Sequence, residues 1–275
     1  FTLGTKLEHN DYTGFEIQPN LRLLWTPNGQ HSLWTSISRA VRTPSRAEDS
    51  GRIVSGAIPA GTPQNPGPLP ILVSIHGNSD FESEELLAYE LGYRVHPTDA
   101  LTFDAAVYFH DYDNIRSIES LPTTLEPSPL APSYISAPQW LGNEMEGESF
   151  GLELAADWVA LEWWRVKAAY TYAEEDDLVE FFAPRHQFSL RSLQDLPRNV
   201  SLDLWLRYTD EIADYDVDHY LVLDARVAWQ VRTGLELALV AQNLFDRQHP
   251  EFRPEFAVVP SEVPRSIYAK VTWRF

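Results

Sequence analysis

The stretch "GESFG" at residues 147–151 puts Ser149 in the G-x-S-x-G pattern of a nucleophile elbow, a strained strand-to-helix turn that presents a serine oxygen to an ester carbonyl. "LVSIHGN" at 72–78 has the form of the strand and His-Gly oxyanion loop found upstream in esterases, with His219 or His249 as the possible base. That chemistry, a secreted serine hydrolase, needs a buried apolar strand before the serine and a helix after it. Here "GNEMEGE" precedes Ser149, and "LELAADW" follows it with a period of two. A five-residue match also arises easily by chance. The acidic stretches "EEDD" (174–177) and "DEIADYDVDH" (210–219) could hold calcium through loop carboxylates. Neither has the EF-hand spacing, and both read equally well as solvated loop tips. His9, His31, His76, His96, His110 and His186 are scattered, with no H-x-x-x-H helix and no thiol partner, so no metal set and no cofactor is assigned.

Other side chains offer recognition without bond-making. Arg39, Arg42 and Arg46 in "SRAVRTPSR" lie where a strand leaves for the longest connector, and could grip an anionic ligand or a phosphate through paired hydrogen bonds. With 40 acidic residues against 21 basic ones, pairing with the protein's own carboxylates is the competing reading. Tyr134, Trp140, Phe181, Phe182 and Phe252 sit in long connectors and could supply apolar, polar-tipped ligand contacts, or pack the loops on one another. The candidate substrate-binding set is therefore Arg42, Arg46, Tyr134, Trp140, Phe181, Phe182 and Phe252.

The elements that must position these residues are strands. Leu87, Tyr89, Leu91, Tyr93 and Val95 oppose Ala88, Glu90, Gly92 and Arg94. Leu101, Phe103, Ala105, Val107 and Phe109 oppose Thr102, Asp104, Ala106, Tyr108 and His110. The same period recurs around 164–172, 201–208 and 220–229, and the polar face repeatedly carries full charges: Glu90, Arg94, Asp104, Arg165, Lys167, Asp203, Arg207, Asp224 and Arg226. Short turns (26–31, 96–100, 195–198, 230–234) alternate with longer connectors (42–84, 118–146, 174–184, 209–218, 245–264). About twelve strands are predicted, near 1–9, 15–25, 32–41, 85–95, 101–116, 147–158, 163–173, 186–194, 199–208, 219–229, 234–243 and 265–275. The closing "SIYAKVTWRF" turns Ile267, Ala269, Val271, Trp273 and Phe275 to one side, with Lys270, Thr272 and Arg274 on the other.

An all-β, antiparallel up-and-down transmembrane barrel satisfies this pattern: backbone groups pair between strands, the apolar face meets lipid and the charged face a wet lumen. A soluble β-sandwich would show the same alternation; aromatic strand ends and loop asymmetry favour the barrel. No run of 18 apolar residues offers a membrane helix. A net charge of −19 repels nucleic-acid phosphates, and the absence of cysteine excludes disulfides and thiolate metal sites. The chain opens on "FTLGTKLEHN" without Met or a signal peptide, and reads as a segment of a longer protein.

Several stretches resemble the C-terminal barrel of TonB-dependent outer-membrane receptors: "SRAVRTPSRAE" (38–48), "SEELLAYELGYRVHPTDALTFDAAVYFHDYDNIRS" (83–117), "EGESFGLELAADW" (146–158), "NLFDRQHPEF" (243–252) and "PRSIYAKVTWRF" at the end. The resemblance implies a bacterial outer-membrane location, with residues 1–275 as about the last 12 of 22 strands and the plug domain outside this chain. It implies Trp273 and Phe275 as a C-terminal signature read by the barrel-assembly machinery. Its further partners would be the TonB complex acting through the plug segment, outer-membrane lipid and lipopolysaccharide, and a small-molecule or metal-chelate ligand. The implied activity is ligand-gated active uptake of a scarce large nutrient, a metal-siderophore or cobalamin-like chelate, with no catalytic residues. A passive diffusion channel would share the wall and differ by lacking the plug.

Overall fold

The computed structural model describes residues 1–127, 133–175, 183–212, 216–252 and 261–275. The elements in chain order are β1 (Thr2–Asn10), β2 (Gly14–Asn28), β3 (His31–Arg42), α1 (Arg46–Ser50), β4 (Arg52–Ile58), β5 (Ile71–His76), β6 (Glu84–Thr98), β7 (Leu101–Ser120), β8 (Thr124–Glu126), β9 (Tyr134–Leu161), β10 (Trp164–Glu175), β11 (His186–Leu196), β12 (Val200–Thr209), β13 (Tyr220–Arg232), β14 (Leu235–Gln242), β15 (Gln248–His249), β16 (Val263–Pro264) and β17 (Ser266–Trp273). Twelve of these form one up-and-down sheet in the order β1-β2-β3-β6-β7-β9-β10-β11-β12-β13-β14-β17, with β1 and β17 at its two edges. All neighbours on this path are antiparallel, joined alternately by tight turns and longer connectors.

Turn chemistry separates the two ends. Residues 29–30, 99–100, 162–163, 197–199 and 233–234 close tight turns at one end. In two of them Asn28 Oδ1 accepts from the Gln30 and His31 amides, and Arg198 and Asn199 both take positive φ. All the long connectors leave from the opposite end, where the 11–13 turn is the one tight exception.

Register places the apolar residues on one face. Tyr93, Ala105, Leu154, Tyr170 and Phe188 form one cross-strand row, and Val95, Phe103, Ala156, Ala168 and Leu190 the next. The alternate positions hold the charges. On the apolar face of β9 the run extends from Trp158 to Phe150 and stops at Glu148. Those eight steps at ~3.4 Å, tilted by ~40°, rise about 20 Å, close to the ~25 Å apolar band of an outer-membrane barrel. On β3 and β7 the run ends in the same row, where Arg39 and Asp111 align with Glu148; β6 carries Leu87 through that row, and on β10 Glu174 stands one row earlier, opposite Phe150. At the tight-turn end Trp25, Trp158, Trp163, Trp229 and Trp273 are exposed, in the manner of a girdle at a membrane–water boundary.

Beyond the charged row, β7 and β9 continue as a paired extension, to Ser120 and from Tyr134 respectively, and the stretches expected to be loops carry structure. The 42–84 connector contains α1, β4 and β5, with β5 pairing β9 in parallel, Ile71 to His76 against Ile135 to Trp140. The 118–146 connector shrinks to 121–133, with β8 inside it, and β15 pairs β16 in the last connector. The sequence conceals the extension because register shifts near Ile115 break the period of two, and Pro138, Gly142 and Asn143 imitate loop residues.

Candidate functional site

The charged face is a paired wall. Arg94 Nε lies 2.5 Å from Asp104 Oδ1, and Asp157 accepts from Arg165 at 2.5 Å and from Lys167 at 3.2 Å. Arg191 and Arg226 flank Asp203 at 3.5 and 3.9 Å, while Arg226 also reaches Glu236 at 2.7 Å. Arg207 pairs with Asp224 at 2.8 Å and covers the Trp205 ring at 4.3 Å. Ser36 donates to Glu90 at 2.5 Å. Every charge anticipated for the wet face thus has a partner on it. Such half-exposed pairs contribute little stability each, but they keep the surface hydrated and reversible to contact.

Two aromatic side chains lie flat on this wall. Trp34 is opposite Gly92, and Tyr108 is opposite Gly151; a Cβ built on either glycine would overlap the facing ring. The missing side chains let the rings rest on the neighbouring backbone, so they line the lumen without filling it. Tyr108 stacks on His110 at 4.5 Å, and Tyr112 stands edge-on to His110 at 6.0 Å, forming a ladder that rises toward the long-loop end.

Ser149 belongs to this wall. It sits within β9 opposite His110, buried, and hydrogen-bonded to Tyr112. The chain continues as strand to Leu161, so the strand-to-helix turn of a nucleophile elbow is absent and the elbow reading is corrected. Gly151, the last residue of "GESFG", instead makes room for the Tyr108 ring. His76 bonds Ser74 Oγ at 2.9 Å, and three strands separate β9 from β13, near which His219 and His249 lie.

At the long-loop end, the base of the 43–83 connector is held by a clamp. Arg42 ends β3 and Glu84 begins β6. The Arg42 guanidinium donates to Glu84 through Nε and Nη2, both at 2.5 Å, and to Glu48 through Nη1 at 3.0 Å and Nη2 at 2.8 Å. Glu48 is the N3 residue of α1; it accepts from the Ser45 amide at 2.8 Å while Ser45 Oγ accepts from the Glu48 amide, a capping box. The Gly77 and Asn78 amides return to the Gly51 and Glu48 carbonyls, both at 2.7 Å, closing the far leg. Burial alone would raise the Glu48 carboxyl, but hydrogen bonds from Arg42 and Ser45 and the Arg42 charge outweigh it and bring its pKa down to about 2. Hydrogen bonding to Glu84 and then Glu48 pushes the Arg42 value up. Glu48 and Glu84 escaped the sequence reading, although the S-x-x-E spacing of Ser45 and Glu48 carried the signal.

The last connector has its own node. Asn243, 1% exposed at φ +52°, donates from its amide to Asp224 at 2.9 Å and from Nδ2 to the Val263 carbonyl at 3.1 Å, and meets His249 Nδ1 at 3.2 Å. His249 stacks on Tyr220 at 4.4 Å.

The candidate contact residues stand on separate segments. Arg42 is engaged in the clamp, Arg46 is exposed on the first turn of α1, and Tyr134 and Trp140 lie on the β9 extension, with Trp140 in register with His76 of β5. Phe252 is exposed in the last connector. Phe181 and Phe182 lie outside the described residues, as does part of each acidic stretch. Among the described residues, no group of three or more His, Cys, Asp or Glu is placed to hold a metal ion.

A family model for the TonB dependent receptor-like β-barrel matches residues 1–244. Among solved structures, the siderophore receptor PirA from Acinetobacter baumannii is 15% identical, with a TM-score of 0.77 over 99% of this chain and 43% of that one. A mutant of the ferric enterobactin receptor PfeA from Pseudomonas aeruginosa is 18% identical, TM-score 0.78, over 99% and 42%. The ferric-catecholate import receptor Fiu from E. coli K12 is 16% identical, TM-score 0.65, over 95% and 35%. The chain thus spans less than half the length of these receptors. A search of curated protein sequences gives no match.

Proposed function

Because the chain belongs to the TonB-dependent receptor β-barrel family, we propose that residues 1–275 are the C-terminal barrel portion of a receptor for ligand-gated active uptake of a scarce, large metal chelate. Barrels of this family span the bacterial outer membrane, and no bond-making residue is assigned here. The observation that carries the reading is the two-faced sheet: an apolar, tryptophan-girdled exterior, an ion-paired interior, and built-up connectors at one end only. A siderophore-type chelate is favoured over a cobalamin-like one, because the solved structures of similar fold are named as siderophore, ferric enterobactin and ferric-catecholate receptors.

In this reading a plug domain in another part of the protein sits against the paired wall and is pulled by the TonB complex. Arg46, Tyr134, Trp140, Phe181, Phe182 and Phe252 contact ligand at the outer mouth, and Arg42 holds the longest connector in place for them. Lipid and lipopolysaccharide surround the apolar band, and the assembly machinery reads Trp273 and Phe275. The test is uptake of radiolabelled iron bound to a siderophore by iron-limited cells with and without the gene. Loss of uptake on deletion, and its abolition by a protonophore in the parent, is the expected result. Uptake that survives de-energisation overturns active transport in favour of a passive channel.

A further inference from the structure

On the lipid-facing surface, Ala156 of β9 and Ala168 of β10 stand directly opposite each other, and with Ala105 of β7 one row away they form the floor of a recess of about 370 Å³. Phe103 and Tyr93 rise on one side of it, Tyr170 and Phe188 on the other. We propose that this recess is a seat for one acyl chain of a phospholipid in the periplasmic leaflet.

Three observations carry the proposal. The recess is lined almost wholly by apolar side chains, so it has nothing to fix a peptide, a sugar or a headgroup. Its rims are held in place: the Tyr93 hydroxyl is bonded to His31 Nδ1 at 2.6 Å, and the Tyr170 hydroxyl to His186 Nδ1 at 2.9 Å, each with its rings stacked. A depression whose walls are pinned is a pre-formed shape, the condition for holding one chain longer than its neighbours. Its depth is also defined. Ala156 is one outward position from Trp158, and Trp158 is close to the 162–163 turn, so the recess lies in the half of the membrane next to the tight turns, the periplasmic half of such barrels. A second copy of the chain is a poorer occupant. Two strand spacings of ~4.8 Å make the recess about 10 Å wide, so its footprint is a small fraction of the ~1,200 Å² that a stable protein interface buries. The proposal rests on the membrane-spanning barrel alone and stands or falls independently of what is transported.

The test uses the complete receptor extracted from outer membranes in mild detergent, with bound phospholipid counted by native mass spectrometry under graded activation. The wild type should retain one phospholipid. Filling the floor with Ala156→Leu and Ala168→Leu together should cut retention at least tenfold. Val227→Phe, on the same exposed face of β13, should leave it unchanged. Phosphatidylethanolamine and phosphatidylglycerol should be retained equally, since only the chain is held. Equal retention by the filled variant, selection by headgroup, or a wild-type dimer that the filled variant dissociates would each overturn the proposal. Heat-modifiable electrophoretic mobility confirms that the variants are folded.

Discussion

Replacing Arg42 by alanine should loosen the longest connector while leaving the membrane sheet intact. The substitution removes four charge-assisted hydrogen bonds, two to Glu48 and two to Glu84, and strands Glu48, whose side chain is only 6% exposed. The fall of the Glu48 pKa from 4.5 to about 2 corresponds to about 3 kcal/mol. Arg42 keeps 46% of its surface in water, which screens the pair, and Ser45 supplies part of the effect, so about 2 kcal/mol is assigned to the clamp. That is about a 30-fold change in local opening. Hydrogen exchange is the assay: amides within 45–81 should lose about 30-fold in protection, while β12 and β13 keep theirs. The pH dependence has a definite sign. Because the folded Glu48 pKa lies below its unfolded value, the clamp is at full strength above about pH 4.5 and is lost as pH falls from there toward 2. Arg42→Ala should flatten that dependence. Unchanged protection in 45–81, or a loss spread evenly over the sheet, would refute the clamp.

Two further predictions test the wall. Leu154 and Ala155 are consecutive and face opposite sides of β9, so Leu154→Arg should cost about 2–4 kcal/mol in bilayer folding equilibria, whereas Ala155→Arg on the wet side should stay within about 0.5; similar costs at both positions would contradict the register. Gly151→Val should lower the unfolding free energy through overpacking against Tyr108, by about 1–3 kcal/mol, and adding Tyr108→Ala should restore part of the loss; simple additivity of the two changes in denaturant unfolding would refute the ring-over-glycine contact.

Period-two alternation was enough to read the twelve strands of the main sheet and their facing, though not the strands within the long connectors. It is a local property: successive Cβ atoms point to opposite sides whatever the partner strand, so Leu91 and Arg94 declare their faces within one segment. The closing strand followed the same rule, with Val271 and Trp273 exposed on the apolar side. The candidate site was less legible. Arg42 was visible as a residue but its partners were not: Glu84 lies 42 positions away in sequence, and only the pairing of β3 with β6 brings it opposite. Ser149 shows the converse. Its five-residue motif pointed to an elbow, and the sheet decided otherwise, because Gly151 is needed beneath Tyr108 of the neighbouring strand.

What the amino-acid sequence determined by itself is therefore what depends on near neighbours: the twelve strands of the main sheet, their facing, the two kinds of connector and the wet–dry contrast. Tertiary structure alone decided which carboxylate each arginine grips, how far β7 and β9 stand above the membrane, and that β5 joins β9 in parallel. Those outcomes rest on contacts between residues tens of positions apart, whose register is set by the turns and bulges between them and leaves no periodic trace in either segment alone.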